Sequence, residues 1–189
     1  MATTQRGTSA TGRTRWKLDP AHTTVEFSAK HMMITTVKGS FSDVSGTIEA
    51  DEAHPDSSSA EASIDAASID TRSEQRDAHL RSADFLDVEN NPVISFRSKQ
   101  VRGAAGKAGD SFQVTGDLTI RGVTREVTLD TTYEGKIRDM EGKERAGFSA
   151  TTTIDRRDFG LVWNQALETG GLLVGNEITI TIEAEAVEA

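Results

Sequence analysis

Histidine is the residue best suited to acid–base or metal chemistry in this 189-residue sequence, which has four histidines and no cysteine. The lack of cysteine excludes disulfides, thiolate metal sites and thiol nucleophiles. His22 and His31 are nine residues apart, so on one regular strand they would point to opposite faces and could not share a metal ion. His54 precedes a proline in a Ser-rich stretch, where we expect it to be solvated. These positions predict no bound metal.

The densest group of chemical side chains surrounds His79, in a stretch that has the pattern of a short helix capped by Ser73. Asp77 and His79 are two residues apart, and residues with this spacing do not face each other on a helix. We therefore expect Arg76, Asp77 and His79 to form a structural cluster of ion pairs and hydrogen bonds that ties the helix to the rest of the fold.

The alternative is an acid–base or metal site assembled across elements from His22, Glu74, Asp77 and His79. Other catalytic motifs are incomplete. The triplet Asp158-Phe159-Gly160 matches the metal-binding triplet of protein kinases, but the accompanying kinase motifs are missing. No G-x-S-x-G nucleophile motif occurs either, and we predict no cofactor.

Charge and the N-terminal composition limit the partners. The 30 acidic residues outnumber 21 basic ones, giving a net charge of −9, and such a chain repels the phosphate backbone of nucleic acids. Residues 1–13 are polar and rich in Thr, Ser and Gly, so we expect a flexible tail without a signal peptide or a membrane anchor. These features predict a cytoplasmic protein with one domain at residues 14–189 and no nucleic-acid partner.

Alternation of apolar and polar residues is the dominant pattern, and it predicts β-strands with one apolar face. The segments that show it are residues 24–30, 60–66, 94–98, 111–121, 123–133, 146–154 and 177–186. The apolar parity changes between Phe41 and Ile48, which predicts a bend near residues 42–45. Short turns such as Arg121-Gly122 favour antiparallel neighbours, and the total is about eight strands.

About eight antiparallel strands can close into a barrel or pack as a sandwich. Side-chain size favours the barrel, because many residues on the predicted inner faces are small. They are Ala60, Ala62, Ala66, Ala146, Ala150, Thr152, Ala184 and Ala186. We therefore predict an all-β fold, a single extended antiparallel barrel with one short helix and an apolar cavity. The alternative is a sandwich in which these small residues interdigitate.

The inward-facing apolar residues of the strands are predicted to line the cavity and bind its ligand. They are Phe27, Ala29, Ile64, Ile94, Phe96, Leu118, Ile120, Phe148, Ala150, Ile180 and Ile182. The connection between residues 155 and 177 is unusually long and apolar for a compact domain. We expect its Phe159, Leu161 and Trp163 to join the lining, and residues 159–174 to cover one barrel end as a plug or a gate.

Several motifs together resemble those of the YceI-like family. They include Trp16-Lys17-Leu18-Asp19-Pro20-Ala21-His22, Arg76-Asp77-Ala78-His79-Leu80, Asn91-Pro92-Val93-Ile94-Ser95-Phe96 and Arg157-Asp158-Phe159-Gly160-Leu161. The resemblance spans essentially residues 14 to 187. It implies a lipocalin-like barrel whose interior holds a polyisoprenoid or a similar long-chain amphiphile, such as a quinone tail or a fatty amide, with roles in transport or stress response.

Two functions are consistent with these patterns. The first is a binding module, monomeric or homodimeric, that acts as a lipid carrier, reservoir or sensor. Burial of an alkyl or isoprenoid chain gains about 0.8 kcal/mol per methylene, so an apolar tunnel is expected to suffice without a charged anchor. The second is an enzyme that acts on such a lipid, with His79 and Asp77 as the acid–base groups.

Overall fold

The structure is a computed structural model that describes residues 12–189. Most of the predicted N-terminal tail, residues 1–11, lies outside the described residues. The first strand begins at Arg13, one residue before the predicted domain boundary, which stays a prediction. Within residues 12–189 no helix has the length and the apolar character needed to cross a membrane.

The described chain consists mainly of β-strands. The strands are β1 (Arg13–Leu18), β2 (Thr24–His31), β3 (Thr35–Phe41), β4 (Val44–Asp51), β5 (Ser59–Asp65), β6 (Ile69–Asp70), β7 (Val93–Arg102), β8 (Ser111–Ile120), β9 (Val123–Arg138), β10 (Glu144–Asp155) and β11 (Val174–Glu188). The helix α1 (Glu74–Arg81) follows β6, and Ser73 caps it as predicted, because its hydroxyl accepts a hydrogen bond from the amide of Arg76.

Eight strands form a closed antiparallel ring in the order β1, β4, β5, β7, β8, β9, β10 and β11, with β11 pairing back onto β1. A short connection joins β1 to β2, and another joins β3 to β4. Because β2 pairs with β11 and β3 pairs with β2, the strands β2 and β3 lengthen the barrel on one side. The predicted barrel is therefore confirmed, and the sandwich alternative is wrong.

The bend predicted near residues 42–45 separates β3 from β4. Phe41 and Val44 are three residues apart, and an uninterrupted strand would send their side chains to opposite faces. Both side chains nevertheless face the barrel interior. The two bend residues between them therefore restore the inward direction of the apolar residues.

A two-residue turn joins β8 to β9, as the Arg121-Gly122 pair predicts. Both residues have a positive φ, 50° and 71°, which matches the hairpin turn type that suits the twist of antiparallel strands. Along β8, Leu118 and Ile120 are buried, whereas Thr119 bonds the hydroxyl of Thr124 on the outer face at 2.7 Å. The alternation in the sequence therefore places apolar side chains on the inner face of the barrel wall and polar side chains on its outer face.

The two ends of the barrel differ. At one, here called the helical end, His79 of α1 contacts Trp163 in the connection of residues 160–173, and this connection bonds the β2–β3 turn. A buried cluster packs there and comprises Ala66, Ile69, Leu86, Ile94, Leu118, Ile120 and Phe159. The opposite end, here called the far end, carries the loops after β4, β7 and β9 and a smaller cluster of Trp16, Ala146 and Ala186.

An apolar cavity inside the barrel

A cavity of about 1190 Å³ runs through the barrel. Its volume exceeds the range of about 300–1,000 Å³ that is usual for small-molecule sites. Its lining reaches from Ala104 and Lys136 at the far end to His79 and Trp163 at the helical end. The space is therefore an elongated tunnel along the barrel axis.

The residues predicted to face the interior lie along this tunnel. All eleven from the strands line it, together with Phe159, Leu161 and Trp163 from the long connection. Their placement follows from strand parity, because every second side chain of a barrel strand points inward. Whether these residues bind a ligand is a separate question, and that role stays a prediction.

Small side chains keep the middle of the tunnel open. On β10 and β11, Phe148 pairs with Ala184, and Ala150 pairs with Ile182, so each large residue has a smaller neighbour. Ala66 and Ala186, which we also expected on the inner face, are almost fully buried in the clusters at the two ends. The open space therefore depends on the small residues in the central part of the wall.

Aromatic rings hold His79 at the mouth of the helical end. The imidazole contacts Trp163 and Phe85 edge to face, with ring centroids 4.6 and 5.0 Å apart. Its Nε2 atom lies 2.8 Å from a carboxylate oxygen of Asp84. The ring is thus fixed by packing and by one carboxylate partner, and Asp77 is not that partner.

Thr71 connects α1 to the barrel. Its amide and its hydroxyl both donate to the buried carboxylate of Asp77, at 2.9 and 2.5 Å. Arg76 donates from Nε to the Thr71 hydroxyl and from Nη2 to the Thr71 carbonyl, each at 2.7 Å. Of the cluster of ion pairs and hydrogen bonds expected from Arg76, Asp77 and His79, the first two share hydrogen bonds with Thr71, whereas His79 has Asp84 as its partner.

The long connection packs over the helical end. The side-chain amide of Asn164 bonds the backbone of Val174 in both directions, at 2.8 and 3.1 Å, which holds the two arms of the loop together. The amide of Met32 at the β2–β3 turn donates to the carbonyl of Leu173 at 2.9 Å. Val162 is 67% exposed and Leu172 is 39% exposed, so part of this apolar segment faces the solvent.

Arg156 anchors this connection from inside the wall. The residue is only 4% exposed, and its Nε atom donates to the carbonyl of Gly175 at 3.0 Å. Its Nη1 atom donates to the carbonyls of Leu161 and Trp163 at 2.7 and 2.9 Å. Burial lowers the pKa of Arg156 from its ordinary value. The sequence analysis missed this residue, because its carbonyl partners come together only in the folded chain.

The tunnel, the barrel and the covering connection agree with a comparison against known families. The model of the YceI-like domain matches residues 16–186. The chain belongs to the YceI-like family. Among curated proteins, a UPF0312 protein of Staphylococcus epidermidis is 38% identical over 173 residues, which cover 91% of this chain and 96% of the relative.

Solved structures share the YceI-like barrel. BcnA of Burkholderia cenocepacia superposes with a TM-score of 0.76 at 25% identity, covering 89% of this chain and 98% of BcnA. A polyisoprenoid-binding domain from Saccharophagus degradans gives a TM-score of 0.67 at 14% identity, covering 92% and 98% of the two chains. At that identity the second comparison establishes a common fold.

A polar network lies outside the tunnel of this YceI-like domain, where β11 changes its neighbour from β2 to β1. His22 Nδ1 lies 2.9 Å from a carboxylate oxygen of Asp19 and 3.8 Å from one of Glu185. Arg145 bonds both carboxylates and also Asp139. The alternative site, which combined His22 with Glu74, Asp77 and His79, is not formed among the described residues, because His22 has Asp19 and Glu185 as its partners.

The ion pairs explain the electrostatics of this network. Hydrogen bonds from His22 and Arg145 lower the pKa of Asp19 to about 2, and the bond to Asp19 raises the pKa of His22. Asp19, His22 and Glu185 lie close enough together to face a single ion. The guanidinium of Arg145 already pairs with both carboxylates, so the arrangement is that of a surface ion-pair network.

Proposed function

We propose that this protein binds a long-chain apolar or amphiphilic lipid inside its barrel, as a carrier, a reservoir or a sensor. A polyisoprenoid, a quinone tail and a fatty amide all have the required chemistry. The observation that supports the proposal is the tunnel of about 1190 Å³, whose walls are the apolar inner faces of the strands. An elongated apolar space fits a chain better than it fits a compact ring system.

The energetics of burial favour a chain of this kind. Each methylene moved from water into the tunnel gains about 0.8 kcal/mol before the cost of ordering the chain. The lining extends from Ala104 at one end to Trp163 at the other, so a long chain remains in contact with apolar side chains along its length. The barrel of the polyisoprenoid-binding domain from Saccharophagus degradans lends support through its architecture alone.

Binding is preferred here over catalysis on such a lipid. The enzyme alternative requires His79 and Asp77 to act as an acid–base pair. His79 contacts Asp84 and two aromatic rings, whereas the Asp77 carboxylate accepts both of its hydrogen bonds from Thr71. Such engaged groups are better suited to structural roles. A cytoplasmic location, the absence of a membrane anchor and a homodimer stay predictions from the sequence.

A chain-length series tests the proposal. The protein is stripped of lipid and titrated with geraniol, farnesol and geranylgeraniol, which share one head group and differ in prenyl length. Trp16 and Trp163 both line the tunnel, so their fluorescence reports occupancy. We expect saturable binding that tightens at least about tenfold with each added prenyl unit, because more apolar surface is buried. Equal affinity across the series, or no binding, would contradict the proposal.

A further inference from the structure

Arg156 is a buried cation in which one guanidinium nitrogen has no hydrogen-bond partner among the described residues. The residue lines the tunnel, and its Nε and Nη1 atoms donate to three backbone carbonyls. Within residues 12–189, its Nη2 atom is buried without a hydrogen-bond partner. A buried donor left unpaired costs free energy, and the cost is larger for a charged group. The wall of the tunnel therefore contains a donor that suits an acceptor from outside the chain.

The carboxylates near the helical end are committed to other groups. Arg157 donates to both carboxylate oxygens of Asp155. Its Nε atom lies 3.0 Å from Oδ1 and 3.2 Å from Oδ2, and its Nη2 atom lies 2.5 Å from Oδ2. Asp84 is the partner of His79. Arginine keeps its proton in proteins, and carbonyl groups supply only partial charges. Asp155 is the carboxylate whose charge acts on Arg156, and Arg157 already pairs with it, so the charge of Arg156 is only partly balanced.

The charged side chains that line the tunnel are distributed unevenly. At the helical end they are the bases Lys30, His31, Arg76, His79 and Arg156. At the far end they are Asp51, Glu52 and Asp110, together with Lys136, which pairs with Glu52 at 2.7 Å. Glu26 and Glu61 also belong to the lining and are exposed, as are Lys30 and Arg76, so Arg156 is the one buried charge among the described lining residues. An anion inside the tunnel is therefore favoured at the helical end.

We infer that the lipid in this tunnel carries an anionic, oxygen-bearing head group, a phosphate or a carboxylate, which lies beside Arg156 at the helical end. The chain then runs toward the far end. This inference rests on the proposed function and names the head group that the proposed function leaves open. It also revises our expectation that the tunnel needs no charged anchor.

The chemistry of the guanidinium fits this role. Hydrogen bonds between arginine and a carboxylate or phosphate are charge-assisted and are stronger than those between neutral groups. Three backbone bonds already fix the orientation of Arg156, so little side-chain entropy is lost when the fourth forms. Nη2 lies beneath the tunnel wall, and a head group beside it therefore needs a local shift of the wall to accept its hydrogen bond.

Three lipids that share the same hydrocarbon chain and differ in head group test the inference. They are geranylgeraniol, geranylgeranyl phosphate and geranylgeranoic acid, each kept below its critical micelle concentration. We expect both anions to bind the intact protein at least about tenfold more tightly than the alcohol. If all three bind equally, the lipid-binding function survives and the head-group assignment is overturned. If none binds, the proposed function fails and this inference fails with it.

A pair of variants locates the effect. Arg156→Gln should abolish the preference for the anions while the affinity for the alcohol changes less than about twofold. Arg72→Gln removes an exposed base just before α1 and should leave the preference intact. A preserved preference in Arg156→Gln would overturn the assignment.

Arg156→Gln also loses hydrogen bonds to backbone carbonyls and could fail to fold for that reason. A second measurement, on the intact protein, therefore tests the inference independently. In about 1 M salt the screening length is about 3 Å, which suppresses attraction to exposed bases such as Lys30 far more than to a buried cation. The intact protein should keep most of its preference for the anions under these conditions. Complete loss of the preference would exclude Arg156 as its source.

Discussion

The ring of Phe96 on β7 lies directly against Gly116 on β8. A methyl carbon built on Gly116 would lie 2.6 Å from Cζ of Phe96, and closer still to the carbonyl oxygen of Arg97. The absence of a side chain at this glycine lets a large ring of the tunnel wall pack against the neighbouring strand. The width of the tunnel at this level therefore depends on the pair.

Replacing Gly116 with alanine should destabilise the protein by about 1–3 kcal/mol, because neither the Phe96 ring nor the Arg97 carbonyl can move away without cost. Urea unfolding of the stripped protein measures the change. Gly147→Ala is the matched control on β10, where the added methyl would meet Glu134 Cβ at 3.3 Å. We expect a clearly smaller loss there. Equal losses in the two variants would contradict the steric explanation.

The alternation of residues was enough to predict the longer strands and the inward direction of their side chains. It did not predict β1, β3 or β6, and for β1 and β6 the reason is the small number of inward residues. In β1 the inward residues Trp16 and Leu18 are too few to establish a period, and β6 contains only two residues. Their strand conformation is established by pairing with distant partners, such as Trp16 with Ile48.

The ion pairs of Asp19 predict a dependence of stability on acid pH. The pKa of Asp19 is lowered to about 2 in the folded protein, against an ordinary value of about 3.8. Its carboxylate therefore stabilises the fold above pH ~4, and this contribution disappears as the pH falls through about 2. Asp19→Asn should lose about 1 kcal/mol at pH ~5.5 and approach the wild type near pH ~2, because the pairs lie at the surface.

Urea unfolding at these two pH values measures the effect of Asp19→Asn. At pH ~5.5 His22 is still protonated, because its pKa is raised above the ordinary value of 6.5. Asp158→Asn removes an exposed carboxylate and serves as the control. A difference between Asp19→Asn and the wild type that stays constant from pH ~5.5 to pH ~2 would refute the linkage.

Filling the tunnel should block the ligand and leave the fold intact. Ala150→Phe and Ala184→Phe each place a ring in the open middle of the barrel, and we expect the affinity for geranylgeraniol to fall at least about tenfold. Thr151→Phe places the same ring on the outer face of β10, where the residue is exposed, and should bind normally. Fluorescence titration compares the three variants. Unchanged affinity in both alanine variants would place the ligand elsewhere.

The connection over the helical end should respond to the ligand. We expect hydrogen exchange across residues 161–173 to slow markedly when geranylgeraniol is bound, because Leu161, Trp163 and Leu173 line the tunnel. The β8–β9 hairpin provides an internal reference. Equal protection with and without the ligand would show that the segment is a static plug and not a gate.

The candidate site illustrates the limit of reasoning from strand periodicity. Inward apolar residues such as Leu118 and Ile180 were predictable, because parity alone directs them into the barrel. Thr71 and Arg156 were not. Thr71 bonds the side chains of Asp77 and Arg76, whereas Arg156 bonds backbone carbonyls, and only the folded chain brings these groups together. Polar residues in a barrel wall therefore have to be identified from the structure.

Extraction of the protein purified from its native host tests the central claim most directly. Organic extraction followed by mass spectrometry should yield a long-chain lipid in near-equimolar amount, and the double variant Ala150→Phe/Ala184→Phe, purified in the same way, should yield little. A folded wild-type protein that contains no lipid, or no more than the filled-tunnel variant, would contradict the account.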